Sequence, residues 1–94
     1  MPDPAPTYAD RIRAKLTAAL APARLDLVDE SHLHRGHAGH DPRGETHFRL
    51  TIVSAAFAGK SRVERQRLVY GALASELAER VHALSIAAKA PGEA

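Results

Sequence analysis

The chain has no cysteine and no tryptophan, one methionine, and aromatic residues at only 4% of its 94 positions. The absence of cysteine excludes disulfides, thiol nucleophiles and all-thiolate metal sites, so any thiolate at a metal centre has to come from another molecule. With so few rings, the core must be built from Leu, Ile, Val and Ala, and a chain this short supports one modest core in one domain. No apolar run approaches the roughly 18 residues of a membrane span. The start, Met1-Pro2-Asp3-Pro4-Ala5-Pro6, has neither the basic region nor the apolar run of a signal peptide, which makes the cytoplasm the expected compartment. A strong charge bias is missing too. Thirteen Lys and Arg against eleven Asp and Glu leave +2, and an average excess of that size does not identify a nucleic-acid partner.

What is present is periodicity. Residues 1–6 read as a disordered, Pro-rich tail, after which Thr7 caps a helix with Asp10 at the capping-box position. Tyr8, Ile12, Leu16 and Leu20 recur every fourth residue and draw one apolar stripe, closed by Pro22. Leu25-Asp26-Leu27-Val28 is a short strand candidate. From His32 to Glu45 nothing is periodic, and Gly, Pro and four histidines make a polar loop. Loops of that length in small domains are usually functional or disordered. Thr46 to Val53 then alternates, with Phe48, Leu50 and Ile52 on one face and His47, Arg49 and Thr51 on the other.

After the turn at Ala58-Gly59-Lys60, Ser61 and Glu64 form a second capping box. Val63, Tyr70, Leu73, Leu77 and Val81 step along one helical face, while Leu68 and Val69 lie off it. That mismatch points to a break near Gly71 that gives two helices, or to a partner surface. Ala83-Leu84-Ser85-Ile86-Ala87 is a last strand, and residues 92–94 a short tail, so the folded domain spans 7–91. The order is αββααβ. Two strands joined by a loop pair antiparallel, and a helical connection returns the last strand parallel by a right-handed crossover. An α+β architecture follows, a three-stranded mixed sheet with helices on one face.

Several segments in this order resemble the BolA family: Val28-Asp29-Glu30-Ser31, Gly44-Glu45-Thr46-His47-Phe48, Ile52-Val53-Ser54 with Phe57-Ala58-Gly59-Lys60-Ser61, Arg65-Gln66-Arg67-Leu68-Val69-Tyr70, and Val81-His82-Ala83-Leu84-Ser85-Ile86. The resemblance runs from about Ile12 to Pro91. It departs from the family at Gln66, where His is usual, and in a loop from His34 to Gly44 that is richer in His and Gly. It implies a class II KH-like fold and two roles: partnership with a monothiol glutaredoxin across a bridging 2Fe-2S cluster, and transcriptional regulation through DNA, in stress response and iron homeostasis. It implies no small-molecule substrate, no membrane, and no cofactor when the chain is alone.

By the same correspondence, His82 is the leading cluster ligand, with a structural histidine donating to a nearby carbonyl as the plainer alternative. The second ligand should come from the loop, His34 ahead of His37, with His40 continuing the spacing. Neutral imidazole suits iron, and replacing two thiolates by two histidines on one iron of such a cluster raises its potential. With no cysteine in this chain, a glutaredoxin thiolate and a glutathione thiolate would supply the other two ligands. His47, opposite Phe48, reads as structural or surface. The loop histidines could equally be a flexible segment that binds metal adventitiously.

Lys60, Arg62, Arg65 and Arg67 form the most basic stretch, against Glu64 alone, and are the candidate nucleic-acid contacts. Beyond Gly71 the charge turns acidic with Glu76 and Glu79. KH domains grip backbones with a G-x-x-G loop between helices, and the one literal match, Gly36-His37-Ala38-Gly39, lies between strands. No nucleophile elbow or phosphate-cradling loop is present, and a paper triad of Asp41, His47 and Ser54 needs a geometry that spacing cannot supply. The expectation is a protein that is not an enzyme.

Overall fold

The computed structural model describes residues 6–31 and 44–93. His32, His34, His37 and His40, most of the Pro-rich start and Ala94 lie outside the described residues.

Helix α1 (Tyr8–Leu20) begins at the capping box read from the sequence. Thr7 Oγ1 accepts from the Asp10 amide at 3.0 Å and Asp10 Oδ2 accepts from the Thr7 amide at 3.2 Å, so Asp serves where Glu is usual. Ala21, with φ 43°, turns the chain out of the helix. Ile12, Leu16 and Leu20 are buried as the stripe requires. Tyr8 is half-buried at its upper end, under the Arg11 guanidinium at 4.6 Å.

The sheet holds β1 (Arg24–Asp29), β2 (His47–Val53) and β3 (Ala83–Lys89) in the order β1-β2-β3. β1 and β2 run antiparallel, with Leu27 opposite Leu50, and β3 returns parallel to β2, with Leu50 opposite Ile86. The clean alternation in β2 reflects its central place: Phe48, Leu50 and Ile52 are buried under the helices. A 3-10 turn (Ala55–Phe57) follows, which drives Phe57 into the core. Ser54 caps that turn through the Ala56 amide and donates 2.5 Å to the Leu20 carbonyl, which satisfies an orphan acceptor at the end of α1.

Two helices connect β2 to β3: α2 (Arg62–Ala72), capped by Ser61 and Glu64, and α3 (Ala74–Glu79). The break falls at Leu73, two residues past the expected place. The single apolar stripe expected across both helices does not hold. Leu73 and Val81 are buried and Leu77 half-buried, but Val63 and Tyr70 are exposed, and off-stripe Val69 is fully buried. A break rotates the second helix relative to the first, so no one 3.6-residue stripe fits both.

Glu76 of α3 is fully buried. Its carboxylate accepts from Arg11 Nε at 2.9 Å and Lys15 Nζ at 2.9 Å, which staples α3 to α1. Burial opposes its charge, but the hydrogen bonds from Lys15, from a backbone amide and from Arg11 outweigh it, and the carboxyl stays below the usual carboxylate range.

Candidate functional site

The described ends of the 32–43 segment meet beside the start of β3. Asp29, last residue of β1, accepts at Oδ1 from the Ser31 amide at 2.9 Å and the Ser31 hydroxyl at 2.5 Å. Its Oδ2 accepts from the Glu45 amide at 3.0 Å, so one carboxylate clamps both feet of the loop. Ser31 is buried, and its Oγ accepts from the amides of Thr46 at 2.9 Å and His47 at 3.2 Å. Gly44 turns with φ +75°, and a Cβ there would lie 3.2 Å from Asp29 Oδ2, so both conformation and space favour glycine. Arg80, at the end of α3, forks onto the Gly44 carbonyl at 3.0 and 2.6 Å. Glu45 then accepts from the Ala9 amide at 3.1 Å, tying the loop foot to the first turn of α1.

His82 hangs on this clamp. Its amide donates to the Thr46 carbonyl at 2.8 Å, one residue before β3 joins the sheet, while its side chain is exposed. A rigid backbone beneath an exposed imidazole is what a surface ligand needs, because little ordering is left to do when a metal binds. His47 stands next to it, ring centroids 6.4 Å apart with an edge-on tilt of 62°. The Thr46 hydroxyl lies 2.8 Å from Nδ1 of His47 and fixes that ring. Among the described residues no group of three or more His, Asp or Glu is placed to hold a metal. A metal centre at His82 would therefore take ligands from elsewhere. The donor set fits such a role: two imidazoles at one end of the sheet, at the foot of a segment that carries four more.

The sequence expectations fare unevenly at this end of the molecule. His82 lies where they put it, at the helix–strand junction. His34 and His37 fall outside the described residues. His47, read as structural or surface, is brought beside His82, and the clamp built on Asp29 was not foreseen. The signal that would have found the pair is the parallel register, in which His47 faces Ala83, and that register is set by the α2–α3 crossover rather than by local pattern.

The basic residues gather at the opposite end of β3. Lys60, Arg62 and Arg65 line a groove of about 520 Å3 with Lys89 and the backbone of β3, whereas Arg67 is not part of it. Arg65 is not a free cation. It pairs with Glu93 at 2.5 and 2.8 Å and donates to the carbonyls of Ala88 at 3.1 Å and Lys60 at 3.0 Å. Glu93, expected in a tail, is held there, and the hydrogen bond from Arg65 lowers its pKa to about 2. As for the paper triad, His47 and Ser54 sit at opposite ends of β2, roughly 20 Å apart at 3.3 Å per residue, and the Ser54 hydroxyl is committed to Leu20.

Among the described residues no helix is long and apolar enough to cross a membrane. The sheet order, the paired helices and the helix–strand junction define an α+β protein of the class II KH-like kind. Residues 16–93 match the family model described as BolA-like protein. The chain is 53% identical over 89 residues to SufE-like protein 1, chloroplastic/mitochondrial, of Arabidopsis thaliana, a match that spans 88% of this chain and 24% of that protein. It is 43% identical over 77 residues to the DNA-binding transcriptional regulator BolA of Escherichia coli (strain K12), spanning 82% of this chain and 70% of that one. Among solved structures, BolA1 from Arabidopsis thaliana superposes with a TM-score of 0.84 at 42% identity, covering 96% of this chain and 99% of that one. The chain belongs to the BolA family.

Proposed function

We propose that this protein is an adaptor rather than a catalyst, acting in the cytoplasm with a monothiol glutaredoxin and co-ligating a bridging 2Fe-2S cluster through His82 and a second histidine. The observation that carries the reading is the loop clamp: His82 is exposed on a backbone hydrogen-bonded to Thr46, at the foot of the histidine-rich segment. When bound, such a cluster supplies one-electron chemistry at a potential set by its ligands and surroundings. The residues of this chain hold and orient. Asp29, Ser31 and Arg80 fix both feet of the loop, Thr46 fixes His82 and His47, and the exposed imidazole of His82 faces a partner. The thiolates this chain lacks come from glutaredoxin and glutathione.

The test is reconstitution of the pair with iron, sulfide and glutathione, read by visible absorption and circular dichroism against glutaredoxin alone. The mixed complex should give its own spectrum, and His82→Ala should abolish it. Identical spectra, or no effect of His82→Ala, would sink the reading. Comparing His34→Ala, His37→Ala and His47→Ala in the same assay identifies the second imidazole, with His34 expected to show the largest loss. Duplex binding through Lys60, Arg62, Arg65 and Arg67, suggested by the name of the E. coli relative, draws less support, since the four cations do not share one surface: Arg67 lies outside the groove that Lys60, Arg62 and Arg65 line.

A further inference from the structure

The far end of β3 carries a binding surface of its own. β3 is an edge strand. The Lys89 carbonyl accepts from the Ser54 amide and the Ala83 amide donates to Thr46, so the odd-numbered residues of β3 direct their backbone groups at β2. In a parallel ladder, donor and acceptor of one residue point the same way, so Leu84, Ile86 and Ala88 direct theirs outward. The Ala88 carbonyl confirms the parity, since Arg65 reaches it from outside the sheet. Among the described residues no strand covers Leu84 and Ile86 on that edge. Unpaired edges of this kind are templates for an added strand.

What flanks the edge sets the chemistry of the occupant. The groove between α2 and β3 is rimmed by Lys60, Arg62 and Lys89, with Arg65 at its floor and Glu93 as the acid on its lining. The chain places its own carboxylate there: Glu93 lies in the fork of Arg65 and accepts from the Ala90 amide at 2.9 Å. That internal contact shows which group the groove accommodates. Lys60 and Arg62 are exposed on the rim and have no ion pair among the described residues.

We infer that the groove between α2 and the open edge of β3 binds an extended acidic segment of a partner protein by strand addition. The backbone of the segment pairs with Leu84 and Ile86, and its carboxylates meet Lys60 and Arg62, with one displacing Glu93 from Arg65. Backbone pairing gives affinity and the basic rim gives the preference for acidic side chains. An extended peptide fits both features. A nucleic acid would use the charge but has no ladder to offer the strand edge. Leu84 is two residues from His82, about 7 Å along β3 at 3.3 Å per residue, whereas Lys89 is about 23 Å from it, so the basic contacts lie at the end of the strand away from the histidine.

The test uses the full chain and a fluorescein-labelled peptide of six residues alternating glutamate and valine, read by fluorescence anisotropy and by amide shifts in two-dimensional NMR. The amides of Leu84 and Ile86 should shift. The double variant Lys60→Glu with Arg62→Glu, both exposed and so without consequence for folding, should weaken binding at least about tenfold. Peptide N-methylated at alternate residues keeps its charge but loses the ladder, and should also bind about tenfold more weakly. Glu93→Gln should tighten binding by about threefold by vacating Arg65. The inference is overturned if the N-methylated peptide binds as well as the parent, or if charge reversal changes nothing. It is equally overturned if a single-stranded or duplex oligonucleotide shifts the groove residues while the acidic peptide does not.

Discussion

The two ends of β3 are built in opposite ways. At the His82 end, one carboxylate, two hydroxyls and an arginine fork close a polar network in which Ser31 and Thr46 are buried. At the Lys89 end, a shallow basic groove is closed by one ion pair, Arg65 with Glu93, the carboxylate side of which is 42% exposed. Buried polar groups are costly to leave unmatched, so the first end is rigid and intolerant of change. The Arg65 side chain is largely buried but its carboxylate partner stands partly in water, which screens the pair, so the second end can exchange one carboxylate for another. Preorganisation suits a site that must present an imidazole in one direction. Exchangeability suits a site that must accept a segment from outside.

The comparison can be broken hardest at Glu76, which carries α3 and hence the Arg80 fork. Replacing it with Ala leaves Arg11 and Lys15 without their buried acceptor and should cost about 2–3 kcal/mol, since hydrogen bonds to charged groups are among the strong ones. Chemical denaturation monitored by far-UV circular dichroism measures it, and a loss below that of an ordinary surface substitution would contradict the staple. Asp29→Ala comes next. It strands the amides of Ser31 and Glu45 and should cost about 2 kcal/mol, with amide exchange accelerated first at Glu45 and Thr46.

Gly44→Ala should cost about 1–2 kcal/mol, because the residue holds a positive φ and its Cβ would press on Asp29. The smallest effect is at the other end. Glu93 has a folded-state pKa of about 2 against an ordinary 4.5, so the unfolded chain takes up its proton first as pH falls. The stability that Glu93 contributes is therefore complete above pH 4.5 and is lost as pH drops toward 2. Glu93→Gln should flatten the acid limb of the thermal stability profile, while Glu64 and Glu76, also lowered, keep part of the slope. An acid limb unchanged by Glu93→Gln would remove the ion pair from the account of this end.

The elements were legible where one face alone meets the core. Ile12, Leu16 and Leu20 on α1 and Phe48, Leu50 and Ile52 on β2 are buried as their spacing requires, and both capping boxes close as written. The connecting helices were harder to read. Val63 and Tyr70 looked like core and are exposed because the break at Leu73 turns α3 away from the line of α2. Glu76 was read only as part of the acidic turn in charge beyond Gly71 and is fully buried, the most buried charge among the described residues, matched by two cations 61 and 65 residues away in sequence.

Sequence by itself determined the αββααβ order, the caps, the lack of any thiolate and the presence of His82 at a helix–strand junction. These are local properties, fixed by periodicity, turn chemistry and composition within a few residues. Tertiary structure alone decided that His47 stands beside His82, that Asp29 closes the loop, and that Glu93 returns to Arg65 at an open strand edge. Each of those depends on register between segments far apart in the chain, and register is set by how the whole core packs.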